Sequence, residues 1–422
     1  MIAQHGTLLL SASRLRHNIA LYRNRLASAA ICATIKADAY GHGLRQVLPL
    51  LQAAGVEWCC VYSIPEALEI AALTGRILPH PLKILTLAPL VLTPESSADT
   101  DLLAQLVAPV AGRSSVRITL TDLHSALLLA ETLKAIGAAR SLPVHVQIDT
   151  GLTRAGIAAL DAPGVIAAIE ARAELSLEGI YSHFSHGDEP GHITIVQQID
   201  RLWSIAGPAK VRRPELLVHV QNSGGAWHVS SQKDSTATSQ PSELATFSLA
   251  RVGIGLYGLQ PSTADPIPGL RPIARLVAPI LSIHERPAGV GVGYGHTFTT
   301  MRPSRLAIVP VGYADGYPRA LSNRGVVQVR ACDCGNQQQN LTTEMPPAGG
   351  GGEAPVVGRV SMDQIVVDVT DLPWARIGHE VTVISDDPAA PNSLDRIADA
   401  LGTIGYELAT HLGTRLQREV AP

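Results

Sequence analysis

Ala33-Thr34-Ile35-Lys36-Ala37-Asp38-Ala39-Tyr40-Gly41-His42-Gly43 ends a short apolar run on a lysine, sets a tyrosine four residues later and then turns on two glycines. The run at 31–35 is too short for a helix and reads as a buried strand. Lys36 therefore leaves at the carboxyl end, the edge on which barrels and open parallel sheets build their active sites. Loss of water at such an edge favours a neutral amine, which can attack a carbonyl and form an imine. The plain alternative is a lysine whose stem lies along the strand end with its head in water.

Outward from this segment, short aliphatic runs recur at 58–62, 83–87, 106–110, 144–148, 177–181, 216–220 and 249–252, with helical patterns such as 123–135 between them. Alternating β and α segments imply parallel strands. Eight repeats predict an α/β architecture closed into a (β/α)8 barrel of TIM type over 11–258, with an open sheet as the alternative. In fourth place, 116–120 competes with 106–110. After 259 the texture changes to Pro- and Gly-punctuated strands at 273–282, 305–309, 326–330, 356–369 and 379–384. This predicts a mainly-β C-terminal domain over 259–422, with 261–268 as linker and residues 1–10 as an added strand. Two short helices are expected at 394–401 and 406–412, the first capped by Asn392 or Ser393. The polar tracts 230–242 and 333–355 read as loops.

Composition narrows the function classes. The chain has 422 residues, enough for two or three domains, and a formal net charge of -3 from 33 basic and 36 acidic side chains. No global field recruits nucleic acid or an anionic membrane, so small-molecule chemistry is the default. No apolar run reaches the ~20 residues that span a bilayer. Residues 1–17 lack a basic leader with a small-residue cleavage site, and five cysteines in this length make no disulfide framework. A reducing cytoplasm is the expected location. Cys332 and Cys334 form a C-x-C pair without a second pair or histidine at zinc spacing, so no metal is expected.

Phosphate needs converging N–H donors at a helix start or glycine-rich turn. Asn222-Ser223-Gly224-Gly225 follows the seventh run and Arg251-Val252-Gly253-Ile254-Gly255 the eighth, where barrels commonly hold phosphate. Each alone is an ordinary turn, and Arg251 alone is an arginine paired across the rim. A strand-end histidine such as His183 is by default structural. Nine tyrosines stand against three phenylalanines, and Tyr40, Tyr257, Tyr294, Tyr313, Tyr317 and Tyr406 each adjoin a glycine.

Taken together, these segments resemble the fold-type III alanine racemases over nearly the whole chain. The Lys36 segment resembles the family's cofactor motif, in which the lysine holds pyridoxal 5'-phosphate as a Schiff base. N-S and R-x-G-I-x-x-Y-G resemble its phosphate and ring segments. The resemblance implies that Ser223, Gly253 and Ile254, with the hydroxyls of Tyr40 and Tyr406, hold the phosphate. It also implies that Arg251 faces the pyridine nitrogen. A guanidinium keeps its proton, so that nitrogen must accept a hydrogen bond and the ring becomes a weaker electron sink. Gly291-Val292-Gly293-Tyr294-Gly295 matches the family's tyrosine-base segment. Tyr294 would face one side of the α-carbon and Lys36 the other, with His183 linking Tyr294 to Arg251. An ordinary tyrosine titrates near 10, so such a base needs charged or hydrogen-bonding neighbours.

Asp149-Thr150-Gly151-Leu152-Thr153-Arg154-Ala155-Gly156 resembles D-T-G-x-x-R-x-G, placing Arg154 near the substrate carboxylate; Val360-Ser361-Met362-Asp363-Gln364 resembles the segment whose methionine N–H binds it. Gly312-Tyr313-Ala314-Asp315-Gly316 matches the segment lining a narrow mouth that favours a small side chain. In the family the counterparts of Tyr294, Tyr313 and Met362 reach the site from a second subunit, which implies a head-to-tail homodimer. The implied activity is interconversion of L- and D-alanine by two-base proton exchange, supplying D-alanine for peptidoglycan. A racemase of another small amino acid such as serine, a decarboxylase of the same fold type, and a non-catalytic cofactor carrier are the alternatives. One departure stands out: Gln147 occupies the place of a lysine that several members carry as a carbamate. A neutral, weaker hydrogen bond from Gln147 to Arg154 is expected in its stead.

Overall fold

The computed structural model describes residues 5–26, 28–73, 76–92, 97–107, 115–229, 247–262, 264–330 and 351–421. Eight parallel strands form the N-terminal half: Ala30–Thr34, Trp58–Val61, Lys83–Thr86, Ser115–Leu120, Leu142–Asp149, Leu175–Tyr181, Leu217–His219 and Leu249–Val252. They pair in chain order, and the eighth returns to the first with Leu249 opposite Ala30 and Val252 opposite Ala33. The seventh and eighth share no regular ladder. Individual bonds join them instead, Ser248 N–H to Val218 O at 2.8 Å and Arg251 N–H to Gln221 O at 3.0 Å. The result is a nearly closed (β/α)8 barrel with Lys36 and the residues after each strand at one mouth.

The fourth strand corrects the expectation at 106–110. Leu106 and Val107 end the helix Ser97–Val107, residues 108–110 lie outside the described part, and Ser115–Leu120 takes the place in the barrel. Leu103, Leu106 and Val107 stand at i, i+3 and i+4, the spacing of one helical face, and pack on the core. Val116 to Leu120 are all buried, as expected of a parallel strand covered on both sides. The helix Leu123–Ala135 starts where expected because Asp122 Oδ1 accepts from Ser125 N–H at 2.7 Å.

The C-terminal half is mainly β. Its larger sheet runs in the order Gly351–Pro355, Val326–Arg330, Glu380–Ile384, Ala274–Pro279, Thr7–Ser11, Gln417–Ala421. Thr7–Ser11 pairs antiparallel to Ala274–Pro279 and parallel to Gln417–Ala421. A smaller sheet orders Ser282–Arg286, Ser304–Val309 and Ile365–Asp368. Two runs expected as single strands are each divided. The first changes sheets at 280–281: Ile280 N–H donates to His379 O, whereas Leu281 N–H donates to Ile308 O. The second breaks at Gly358, whose φ of 75° begins a turn before Ile365–Asp368. Gly351–Pro355, expected as part of a loop, is a strand. Val327 and Val329 on its partner are fully buried and supply the side chains that the glycines lack. The other polar tract, the remainder of this one, and Cys332 with Cys334 lie outside the described residues. Helices Leu394–Leu401 and Gly405–Thr410 follow. Ser393 sits at the N-cap of the first, but its hydroxyl donates to Pro388 O instead of accepting from the helix.

Candidate active site

The segment after Lys36 is left-handed. Ala37, Asp38, Ala39 and Tyr40 have φ of 53°, 52°, 55° and 54°, each costing ~1–2 kcal/mol for an L-residue. The surroundings hold it there. Ala37 N–H donates to Glu66 Oε1 at 2.9 Å, Leu44 N–H to Asp38 Oδ1 at 2.6 Å, and Arg418 Nη2 to Gly41 O at 2.9 Å. Gly41 has φ 78° and lies against helix Gly405–Thr410, so a Cβ there would sit 2.0 Å from Ala409 O. Only glycine meets both demands. The turn swings the buried Tyr40 ring to within 5.3 Å of Tyr257 and 6.2 Å of Tyr406.

Tyr40 ends at the glycine-rich segments after strands seven and eight. A Cβ at Gly253 would lie 2.6 Å from the Tyr40 hydroxyl, and Ser223 Oγ accepts from Gly253 N–H at 2.9 Å. Gly255 N–H lies 3.5 Å from the same Ser223 Oγ, so the starts of Ser223–His228 and Ile254–Tyr257 meet here. Hydroxyls, helix-start backbone and a glycine without side chain form a cradle suited to phosphate.

Arg251 is 4% exposed and braced from several sides. One Nη donates to His219 Nδ1; the other to Ser182 O at 2.7 Å, His183 Nδ1 at 3.0 Å and Val220 O at 3.3 Å. Its Nε–H has no partner among the described residues. The guanidinium lies 4.8 Å above the Tyr181 ring. Behind it runs a column of polar groups through the barrel. His219 Nε2 is 2.9 Å from His145 Nδ1, His145 Nε2 is 3.2 Å from Glu178, and Arg117 Nε donates to Glu178 Oε2 at 2.7 Å. A donor faces each Nδ1, which therefore accepts, so the proton of each ring sits on Nε2, both imidazoles are neutral and they donate away from Arg251. Burial first, and then the Arg251 charge, hold His183 and His219 well below the ordinary histidine range. Burial also lowers His145 against the pull of Glu178. For Glu178 burial alone would raise the carboxyl, but His145 and Arg117 outweigh it and hold it near 2. His219, His145, Glu178 and Arg117 escaped sequence reasoning. The available signal was polar side chains inside otherwise aliphatic strands, where period-two alternation turns them into the barrel.

His183 feels the charges of Arg251, Arg154 and Lys36, so these groups converge on one mouth. Arg154 is exposed on the turn after strand five. The expected bond from Gln147 is not made: its Oε1 accepts from Tyr181 Oη at 3.1 Å and its Nε2 donates to Ala155 O at 3.3 Å. Gln147 holds the backbone of the turn, not the Arg154 guanidinium: Tyr181 is its register partner on the neighbouring strand, and Ala155 O takes its amide.

Tyr294, Tyr313 and Met362 stand on the C-terminal half, 72%, 43% and 52% exposed. Among the described residues no hydrogen bond joins Tyr294 to His183. The Tyr313 and Met362 segments adjoin, with Tyr313 N–H donating to Ser361 O at 3.0 Å and Ala314 N–H to Met362 O at 3.1 Å. Arg415 clamps both by donating to buried Asp315 at 2.7 and 3.0 Å and to Asp363 at 2.7 Å. This role was missed in the sequence, where Arg415 is distant and only the unpartnered carboxylates of two adjacent motifs hinted at a cation.

Comparison with known proteins agrees with this layout. Residues 10–261 match the model of the alanine racemase N-terminal domain and residues 273–420 that of the C-terminal domain. An alanine racemase of Syntrophobacter fumaroxidans is 33% identical over 411 residues, covering 97% of this chain and 96% of that one. The crystal structure of an alanine racemase from D-cycloserine-producing Streptomyces lavendulae superposes with a TM-score of 0.77 at 28% identity, covering 99% and 97%. One from Bartonella henselae with covalently bound pyridoxal phosphate gives 0.75 at 26% identity, covering 99% of each chain.

Proposed function

Because this chain belongs to the alanine racemase family, we propose that its barrel mouth holds pyridoxal phosphate and that Lys36 and Tyr294 exchange the α-proton of alanine. The activity is the interconversion of L- and D-alanine, the D-isomer serving peptidoglycan. The observation that carries the site assignment is the convergence of Lys36, the Ser223–Gly253 cradle and Arg251 with its unspent Nε–H. A donor left unspent by the described residues suits a ring nitrogen that must accept.

When bound, pyridoxal phosphate supplies an electron-withdrawing ring that acidifies the α-hydrogen of the amino acid joined to it. Ser223, Tyr40, Tyr406 and the amides of Gly253 and Ile254 hold the phosphate. Arg251 cannot give up a proton and so keeps the ring nitrogen unprotonated, which limits how much charge the ring draws and disfavours side reactions. The neutral His219, backed by His145, braces Arg251 without neutralising it. Lys36 holds the cofactor and then moves the proton at one face of the α-carbon, the D-alanine proton in this reading. Tyr294 moves it at the other. Arg154 and the Met362 N–H bind the carboxylate, and Tyr313 narrows the mouth to a small side chain.

Tyr294, Tyr313 and Met362 come from a second copy in this reading, giving a head-to-tail homodimer. Their exposure supports it, since large apolar and aromatic side chains left open to solvent can mark surfaces that meet another. We also place the enzyme in the cytoplasm, as its buried Cys32, Cys59 and Cys60 are free. No described helix is long and apolar enough to cross a membrane. Borohydride reduction followed by peptide mapping tests the site: the reduced cofactor is expected on Lys36, and on any other lysine the assignment fails. In heavy water, L-alanine should take up deuterium with inversion; carbon dioxide release without inversion would point to a decarboxylase.

A further inference from the structure

Lys36 stands at the junction of a strand and a left-handed run that L-residues do not adopt unaided. Ile35 N–H, just before it, donates to Cys60 O on the neighbouring strand at 3.0 Å. Ala37, just after it, opens the left-handed run with φ 53° and ψ 56°. Because a peptide unit is planar, the direction of Ala37 N–H also fixes the carbonyl of Lys36, and with it the rotation of the chain at the lysine Cα. That N–H is caught by a side chain of the next strand–helix unit, Glu66 Oε1, at 2.9 Å.

Glu66 sits in the first turn of helix Ile64–Leu73. Its other oxygen, Oε2, accepts from Tyr62 N–H at 3.0 Å, Ser63 N–H at 2.8 Å and Ser63 Oγ at 3.1 Å. A serine followed three residues later by a glutamate is the pattern of a capping box, and Glu66 N–H lies 3.4 Å from Ser63 Oγ as that motif requires. Capping accounts for Oε2 alone. Oε1 reaches an amide 29 residues back in the chain, which capping does not need.

We infer that Glu66 is a positioning residue for Lys36: its carboxylate ties the peptide after the lysine to the next strand–helix unit and so aims Nζ at the α-carbon. The inference rests on the reading of Lys36 as the base for the D-alanine proton. Both anchors beside the lysine then come from one unit, Cys60 O before it and Glu66 after it. Proton transfer is sensitive to such aim, since a misplacement of about 1 Å can cost about 100-fold in rate. Glutamine separates the two uses of the side chain, because it offers one acceptor oxygen and one NH2 in place of two oxygens. Three donors face Oε2 and one faces Oε1. The amide oxygen therefore stays with the cap, and the NH2 is left opposing Ala37 N–H.

The test compares Glu66→Gln with Ser63→Ala, which loosens the cap and leaves the Ala37 bond intact. In Glu66→Gln, amide exchange over residues 33–43 should quicken about tenfold in both the cofactor-free and the cofactor-loaded protein, while residues 67–73 keep their rate. In both directions kcat should fall about 10- to 100-fold, with KM for alanine changed less than about threefold. The primary isotope effect on α-deuterated D-alanine should rise while that on α-deuterated L-alanine does not. Ser63→Ala should show none of these changes. Equal changes in the two variants, isotope effects that rise equally from both isomers, or unaltered exchange at 33–43 overturn the inference. Faster exchange at 33–43 with a rise confined to L-alanine keeps Glu66 in its role and refutes instead the assignment of Lys36 to D-alanine. Should Glu66→Gln not fold, the unmodified protein decides. Ala37 is exposed, so exchange of its amide slowed at least about tenfold against an open chain supports the bond, and exchange at the open-chain rate refutes it.

Discussion

The two halves of the molecule present their functional groups in opposite ways. In the barrel Arg251 is 4% exposed under several hydrogen bonds, and Tyr40 is buried at the end of a strained left-handed turn. In the C-terminal half Tyr294, Tyr313 and Met362 face outward. A buried and over-braced group is positioned by its own chain. An exposed one, on backbone held as firmly as the Arg415 clamp holds it, is positioned for something else. The contrast fits the reading proposed above, in which one chain carries the binding half of a site and a second copy presents the completing half.

The largest expected effect breaks the barrel side. Lys36→Ala should lower kcat/KM for alanine by at least about 10^4-fold, measured by an assay coupled to D-amino acid oxidation, and should leave nothing for borohydride to trap. Tyr294→Phe should cost about 10^2- to 10^4-fold. The two together sharpen the comparison. Mixing and re-equilibrating the inactive Lys36→Ala and Tyr294→Phe proteins should restore about a quarter of the unmodified activity, because half the dimers are mixed and one of their two sites is intact. If both residues served the same chain's site, mixing would restore none.

Smaller effects probe the supports. Arg415→Ala frees the Tyr313 and Met362 segments, so KM for alanine should rise about tenfold with kcat changed less, by analogy with other removed supports. An unchanged KM would mean that the clamp serves folding alone. Glu178→Gln tests the column behind Arg251. A carboxyl held near 2 instead of 4.5 stabilises the fold above its ordinary range and withdraws that support as pH falls from about 5 to about 2. The melting temperature of Glu178→Gln should thus lie below that of the unmodified protein at pH 7, with the gap closing toward pH 2. A gap independent of pH would refute the charge-based role. Smallest is Gln147→Ala: with Arg154 not among its partners, KM for alanine should change by less than about threefold.

Much of this was legible in the sequence because it is local. Eight strand–helix repeats carry their own periodicity, and seven strands fall where aliphatic runs place them. The fourth failed because 106–110 is the more continuously apolar run, 116–120 being interrupted by Arg117 and Thr119, and only packing assigned Leu103, Leu106 and Val107 to a helix face. The divided strands failed for a related reason. A chain crossing from one sheet to another stays extended, so residues 280–281 look like strand while their hydrogen bonds change partner.

The sequence by itself determined the barrel's alternation, the β texture of the second half, and the segments around Lys36, Ser223, Arg251 and Tyr294, since each is a short motif with its meaning in neighbouring residues. Tertiary structure alone decided what joins residues far apart. It aligned His145, Glu178, His219 and Arg117 behind Arg251, sent Arg415 to two distant carboxylates, gave Gln147 to Tyr181 and Ala155, and stacked His186 on His192. Hydrogen bonds and ion pairs act over about 3 Å. Which polar groups come within that reach is set by how strands and turns close, a property that no single stretch of chain contains.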